Sequence, residues 1–218
     1  MKKLLVVGDS FMHPDWKFPG QHWSEMLPEY EILMRSVSGS SNGIITWKFF
    51  EGLEQKPDAV VLGFTMADRI EFANSDPKYS DQWYTSVHDS RTTTDQRLAV
   101  DYYRATACEE MMLFKGFVTV RSLLLTCEKL KLPYAFTLNG LWDVDKKDLT
   151  NKHWSNIYKN ELRLLGEFDQ HRATNFVTSG IFKMSPGFHV DDPAWQQRFA
   201  QEVREILQLS VDNTKQIV

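Results

Sequence analysis

Apolar and polar positions follow two periods along this chain. Leu4-Leu5-Val6-Val7 is an unbroken apolar run, too short for a helix or a membrane span and of the length of a strand buried on both faces. The pattern returns at Ala59–Phe64 and at Pro133–Leu138, and in a more polar form, with Glu31 and Arg35, at Tyr30–Val37. Asn175–Ser179 reads as a short fifth strand. Between these runs the spacing is helical. Trp23, Met26 and Leu27 predict a short helix over Gln21–Leu27 that Pro28 stops. Ile44–Leu53 reads as a helix with Trp47 and Phe50 on a shared face. Thr94 to Lys131 is helix-rich, with Leu98, Tyr102 and Ala105 on one face, and Gly116 with Val118-Thr119-Val120 divides it in two. His153–Phe168 is amphipathic through Ile157, Leu162, Leu165 and Phe168. The last helix carries its own start signal, Asp192 as cap and Pro193 at the first position. Its apolar face is Trp195, Phe199, Val203, Ile206 and Leu207, and the tail beyond Ser210 frays.

Strands alternating with helices imply a parallel sheet covered on both faces by right-handed crossovers. The expectation is a single domain over residues 1–218: a doubly wound, three-layer α/β/α fold with about five strands. Residues 66–93 interrupt this regularity. They are polar, with Phe72, Tyr79, Trp83 and Tyr84 interspersed, and read as a lid or rim over a cleft or as a plain surface excursion.

Composition changes the picture little. The chain has 218 residues, 42% hydrophobic and 25% charged, as expected of an ordinary globular domain. A net charge of -4 argues against a dedicated nucleic-acid binder. Cys108 and Cys127 form no metal-ligating cluster and read as small buried hydrophobes in a reducing compartment. Met1-Lys2-Lys3 resembles the start of a signal peptide, but the apolar stretch behind it is too short. No run approaches the ~20 apolar residues of a membrane span, so the expectation is a cytoplasmic protein. Its oligomeric state is not legible.

The chemistry gathers where the strands end. In an open α/β sheet ligands bind beyond the carboxyl ends of the strands. The first strand ends in Gly8-Asp9-Ser10, the second in Ser38-Gly39-Ser40-Ser41-Asn42, the third in Gly63-Phe64-Thr65, and His189 stands just before the final helix. Asp9 and Ser10 have two readings: they cap the next segment, or Ser10 is a nucleophile. Asp9 as a phosphoacceptor would want a second acid nearby, which Phe11 and Met12 do not supply. Gly39–Gly43 lacks the lysine of a phosphate-binding loop. His13 is a candidate to line the cleft, and Arg69 to bind a carboxylate or phosphate. His22, His88, His153 and His171 read as surface or satisfied core residues. Asp143, Asp145 and Asp148 alternate with Lys146 and Lys147 as a solvated face.

In its ordered blocks the chain resembles the SGNH, or GDSL-type, hydrolase superfamily. Gly8-Asp9-Ser10-Phe11 is similar to the first block, Gly39 to the glycine of the second, Gly63 to that of the third, and His189 to the histidine of the last. The stretch Asp68-Arg69-Ile70-Glu71-Phe72 resembles small divergent members from phages and marine bacteria, for which a virion or the host cytoplasm is the implied location. The resemblance implies a Ser10 nucleophile, a His189 base, an oxyanion hole of the Ser10 and Gly39 backbone amides, and no metal or cofactor. Two positions depart from the pattern. Thr65 stands where the family has an asparagine donor, so that Thr65 or Asn42 is left to assist. Pro186 stands where the family has an aspartate, which leaves Asp191 or Asp192 as the candidate orienting acid. The implied activity is hydrolysis of a carboxylic ester, an acyl or O-acetyl group on a small molecule or glycan. The alternative is a catalytically degenerate member of the fold that binds a ligand or serves as a structural, phage-associated module.

Overall fold

The computed structural model describes residues 1–14, 19–37, 40–65, 71–73, 83–85, 109–139, 152–174 and 192–215. Its strands are β1 (Lys2–Gly8), β2 (Tyr30–Met34), β3 (Ala59–Phe64), β4 (Glu71–Ala73), β5 (Trp83–Thr85) and β6 (Tyr134–Leu138). Its helices are α1 (Asn42–Leu53), α2 (Glu109–Leu130), α3 (Lys152–Leu165) and α4 (Pro193–Lys215). Four strands form one parallel sheet in the order β2-β1-β3-β6.

The continuous apolar runs are explained by burial on both faces. Leu5, Val7, Val60, Leu62 and Phe136 pack under residues of α1, α2 and α3, including Phe49, Phe117 and Leu165. Their alternates Leu4, Val6, Val61 and Ala135 pack against Trp23 and, from α4, Trp195, Phe199 and Val203. Phe199 meets Trp23 edge-on at 5.2 Å and stacks on Trp195 at 5.1 Å. Three layers result, α/β/α. β2 is only partly buried, which matches its polar residues and its edge position. A forked pair, Arg121 Nε and Nη2 to Glu161 Oε2 and Oε1 at 3.0 and 3.2 Å, joins α2 to α3.

Several local expectations are corrected. Gln21–Leu27 is not an α-helix; it holds one 3-10 turn, Trp23–Met26, because Pro19-Gly20 before it and Pro28 after it leave no room for more. His22 caps this turn, and Glu25 Oε2 accepts from the His22 backbone N–H at 3.1 Å. α1 starts two residues earlier than expected, at the point where Ser41 Oγ accepts from Ile44 N–H at 3.3 Å. α2 runs through Gly116 without a break, since Phe117, Val120, Leu124 and Cys127 bury one continuous face against the sheet. α4 continues past Ser210 to Lys215. The segment 66–93 contains an antiparallel pair, β4 with β5. Asn175–Ser179 lies outside the described residues, but the chain leading into it already joins the sheet. Arg172 bridges Phe136 in parallel, and Ala173 N–H donates to Phe136 O at 2.7 Å. Among the described residues no helix is long and apolar enough to cross a membrane.

Candidate active site

In the order β2-β1-β3-β6 the chain winds one way from β1 to β2 and the other way from β3 to β6. The crevice of such a sheet opens at the carboxyl ends of β1 and β3. Ser10 emerges there. It is the first residue of a 3-10 turn, Ser10–Met12, whose cap is the buried Asp9. Asp9 Oδ1 accepts from Phe11 N–H at 3.1 Å and Asp9 O from Met12 N–H at 3.0 Å. The capping reading of Asp9 is thus observed, and it leaves Ser10 half-buried at the edge. Among the described residues the Ser10 hydroxyl makes no hydrogen bond.

Neighbouring segments converge on this turn. The chain after β2 stays alongside β1: Arg35 N–H donates to Val6 O at 2.8 Å and Val37 N–H to Gly8 O at 3.0 Å. Ser36 Oγ, also buried, reaches Met12 O at 3.1 Å. Gly39 lies outside the described residues. Its flanks are joined to each other, Ser40 Oγ donating to Val37 O at 2.6 Å. From the other face, His22 bonds through Nε2 to Phe11 O at 3.3 Å, and Trp23 N–H donates to Gln196 Oε1 on α4 at 2.9 Å. The first turn of α4 is thereby linked to the segment that carries Ser10.

At the end of β3, Asn42 holds Thr65 by both sides of its backbone. Asn42 Oδ1 accepts from Thr65 N–H at 3.0 Å, and Asn42 Nδ2 donates to Thr65 O at 3.2 Å. This tie sets the first turn of α1 against the end of β3. Thr65 Oγ1 is buried and has no hydrogen-bond partner among the described residues. The sheet register places Gly8 opposite Gly63 and Gly63 opposite Thr137. Just past the carboxyl ends of these three strands come Ser10, Thr65 and Asn139. In the sequence Asn139 stands before Gly140 and reads as no more than a turn residue. It is buried, and its N–H extends the ladder to Phe64 O at 2.6 Å. The Thr137 hydroxyl lies 3.3 Å from Asn139 Oδ1 and 3.0 Å from Thr174 O. Met12 was also missed. Its only signal is an apolar residue in a polar loop, yet its side chain is fully buried against Gly8 and Gly63.

The remaining candidates divide. His189 and Asp191, like Arg69, lie outside the described residues. Asp192 Oδ1 accepts from Ala194 N–H at 2.9 Å and from Trp195 N–H at 3.4 Å, as a helix cap should. His13 is exposed, with Nδ1 2.8 Å from Pro14 O. Among the described residues no three His, Cys, Asp or Glu side chains gather to hold a metal ion. At the opposite end of the sheet burial pushes the Cys127 thiol up to about 12 and raises the Tyr134 phenol.

Compared by sequence, the chain matches no protein-family model and no curated protein. Compared by structure, it is similar to esterases. EstA, a psychrotrophic esterase from Pseudoalteromonas sp. inhibited by monoethylphosphonate, aligns with a TM-score of 0.53 at 13% identity, over 97% of this chain and 100% of that one. A variant of Axe2, an acetyl-xylooligosaccharide esterase from Geobacillus stearothermophilus, aligns with a TM-score of 0.50 at 15% identity, over 94% of each chain. These likenesses are of fold, and the fold is that of SGNH-type hydrolases.

Proposed function

We propose that the chain is a serine hydrolase that cleaves carboxylic esters, acyl or O-acetyl groups, through Ser10 and His189. The observation that carries this reading is Ser10 itself, on a capped turn at the sheet's switch point with its hydroxyl free of hydrogen bonds among the described residues. Ser10 Oγ attacks the acyl carbonyl while His189 takes its proton. The Ser10 and Gly39 backbone amides receive the developing oxyanion, with Thr65 Oγ1 as the side-chain donor. Asn42 supports that hole by holding the Thr65 backbone. Collapse expels the alcohol, protonated by His189. Water, deprotonated by the same base, then releases the acid and restores Ser10. Asp191 and Asp192 remain the candidates to orient the imidazole.

A catalytically inert binding or structural protein is the second reading. One observation favours it: the Asp192 carboxylate is engaged as the cap of α4. Hydrolysis of an aryl acetate separates the two. The hydrolase reading expects turnover by the wild type, background rates for Ser10→Ala, and a loss of roughly 10²–10⁴-fold for His189→Ala. Equal rates for the wild type and Ser10→Ala, with both proteins folded, would sink it.

A further inference from the structure

Gly8 and Gly63 face each other across β1 and β3. Neither has the positive φ that favours glycine, so backbone conformation does not explain them. Packing does. A Cβ at Gly63 would overlap Met12 Cγ, lie 2.5 Å from Met12 Sδ and come within 3.1 Å of Asn139 Nδ2. A Cβ at Gly8 would also overlap Met12 Cγ, and would lie 2.8 Å from Gly63 O. The Met12 side chain therefore fills the slot that two missing Cβ atoms leave open on the α4 face of the sheet. Met12 ends the turn that Ser10 begins. Its backbone is fixed as well, N–H to Asp9 O at 3.0 Å and O from Ser36 Oγ at 3.1 Å.

We propose that Met12 is a positioning residue of the site: seated on Gly8 and Gly63, it fixes the turn that presents Ser10, and Gly63 is glycine to leave that seat open. This rests on Ser10 being the nucleophile. Attack geometry is exacting, and a displacement of about 1 Å can cost about 10²-fold in rate. Asp9, His22 and Ser36 bond the backbone of Phe11 and Met12; the Met12 side chain adds the one contact that seats the turn on the sheet glycines themselves. An unbranched thioether suits a narrow slot. A leucine, branched at the wedged Cγ, does not.

The test is the rate of fluorophosphonate labelling and of aryl-acetate hydrolysis for wild type, Gly63→Ala, Met12→Leu, Met12→Ala and Gly63→Ala/Met12→Ala, each with its melting temperature. The seat predicts that Gly63→Ala and Met12→Leu lower both the labelling rate and kcat by about 10²-fold, with little change in KM. Met12→Leu keeps its apolar volume and stays folded at the assay temperature, so its lowered rates are not a loss of folded protein. The double variant, with the peg shortened to suit the new Cβ, recovers about tenfold over Gly63→Ala. Should Gly63→Ala fail to fold, the two Met12 variants carry the test. A labelled wild type with folded Met12→Leu and Met12→Ala reacting at its rate overturns the seat alone. A wild type that is not labelled at Ser10 overturns the hydrolase reading and the seat with it.

Discussion

Thr65 stands where the family resemblance calls for an amide donor, and its hydroxyl is buried without a partner among the described residues. A buried hydroxyl with nothing to bond costs stability, and replacing it with an apolar group of the same shape is neutral or stabilising. Under the hydrolase reading the same hydroxyl faces the oxyanion. Thr65→Val is therefore expected to hold or raise the melting temperature while lowering kcat, by up to roughly 10²–10³-fold if the hydroxyl is a full oxyanion donor. Loss of stability together with unchanged turnover would contradict that role. At the other end of the sheet, His171 stacks on Tyr134 at 4.3 Å. Tyr134 Oη donates to Glu128 Oε1 at 2.8 Å, and His171 Nε2 lies 3.7 Å from the same oxygen. Burial depresses the His171 pKa below its ordinary 6.5, against the opposing pull of Glu128 and a backbone bond to Tyr134. The unfolded chain then binds the proton more readily than the folded one. The contribution of His171 is complete above pH 6.5 and is lost as pH falls through that value toward the folded pKa. Urea midpoints should drop below pH 6.5, and His171→Phe, which keeps a ring against Tyr134, should flatten that part of the curve. An unchanged slope would assign the pH dependence elsewhere.

Among the elements, the Asn42 side chain ties the first turn of α1 to the end of β3. Asn42→Ala removes both bonds to the Thr65 backbone, leaving a buried donor and acceptor unmet at roughly 1–3 kcal/mol each. It should lower the urea midpoint and reduce turnover together, because Thr65 loses its anchor. Asp192→Ala removes the cap of α4 and is expected to cost about 1 kcal/mol, read from the same titration. Much at this scale was legible in the sequence, because it depends on near neighbours. The runs of β1, β3 and β6 needed only their length and apolarity, and the α4 cap needed only Asp192-Pro193. What was not legible depends on distant partners. Gly116 reads as a helix breaker until Phe117 and Val120 are seen to share one buried face with Cys127. Met12 reads as part of a loop until Gly63, a residue of another strand, is set opposite Gly8. Asn139 reads as a turn residue until register aligns it with Thr65.

For the whole molecule, the strand order brings the ends of β1 and β3 together at one crevice, and Ser10 and Thr65 with them. The order of the Gly8-Asp9-Ser10 and Gly63-Phe64-Thr65 segments could be read along the chain, whereas their approach in space required the sheet register. The buried Cys127, its thiol pushed up to about 12, should stay unreactive to thiol reagents at neutral pH until the fold opens, as a mass-resolved alkylation time course would show; rapid alkylation in the native state would contradict its burial. The central claim is that Ser10 is an activated nucleophile. Its most direct test is mass mapping of the protein after a fluorophosphonate probe. An activated Ser10 predicts one adduct per chain, on the peptide containing Ser10, absent in Ser10→Ala. A folded wild-type protein that carries no adduct at Ser10 would contradict it.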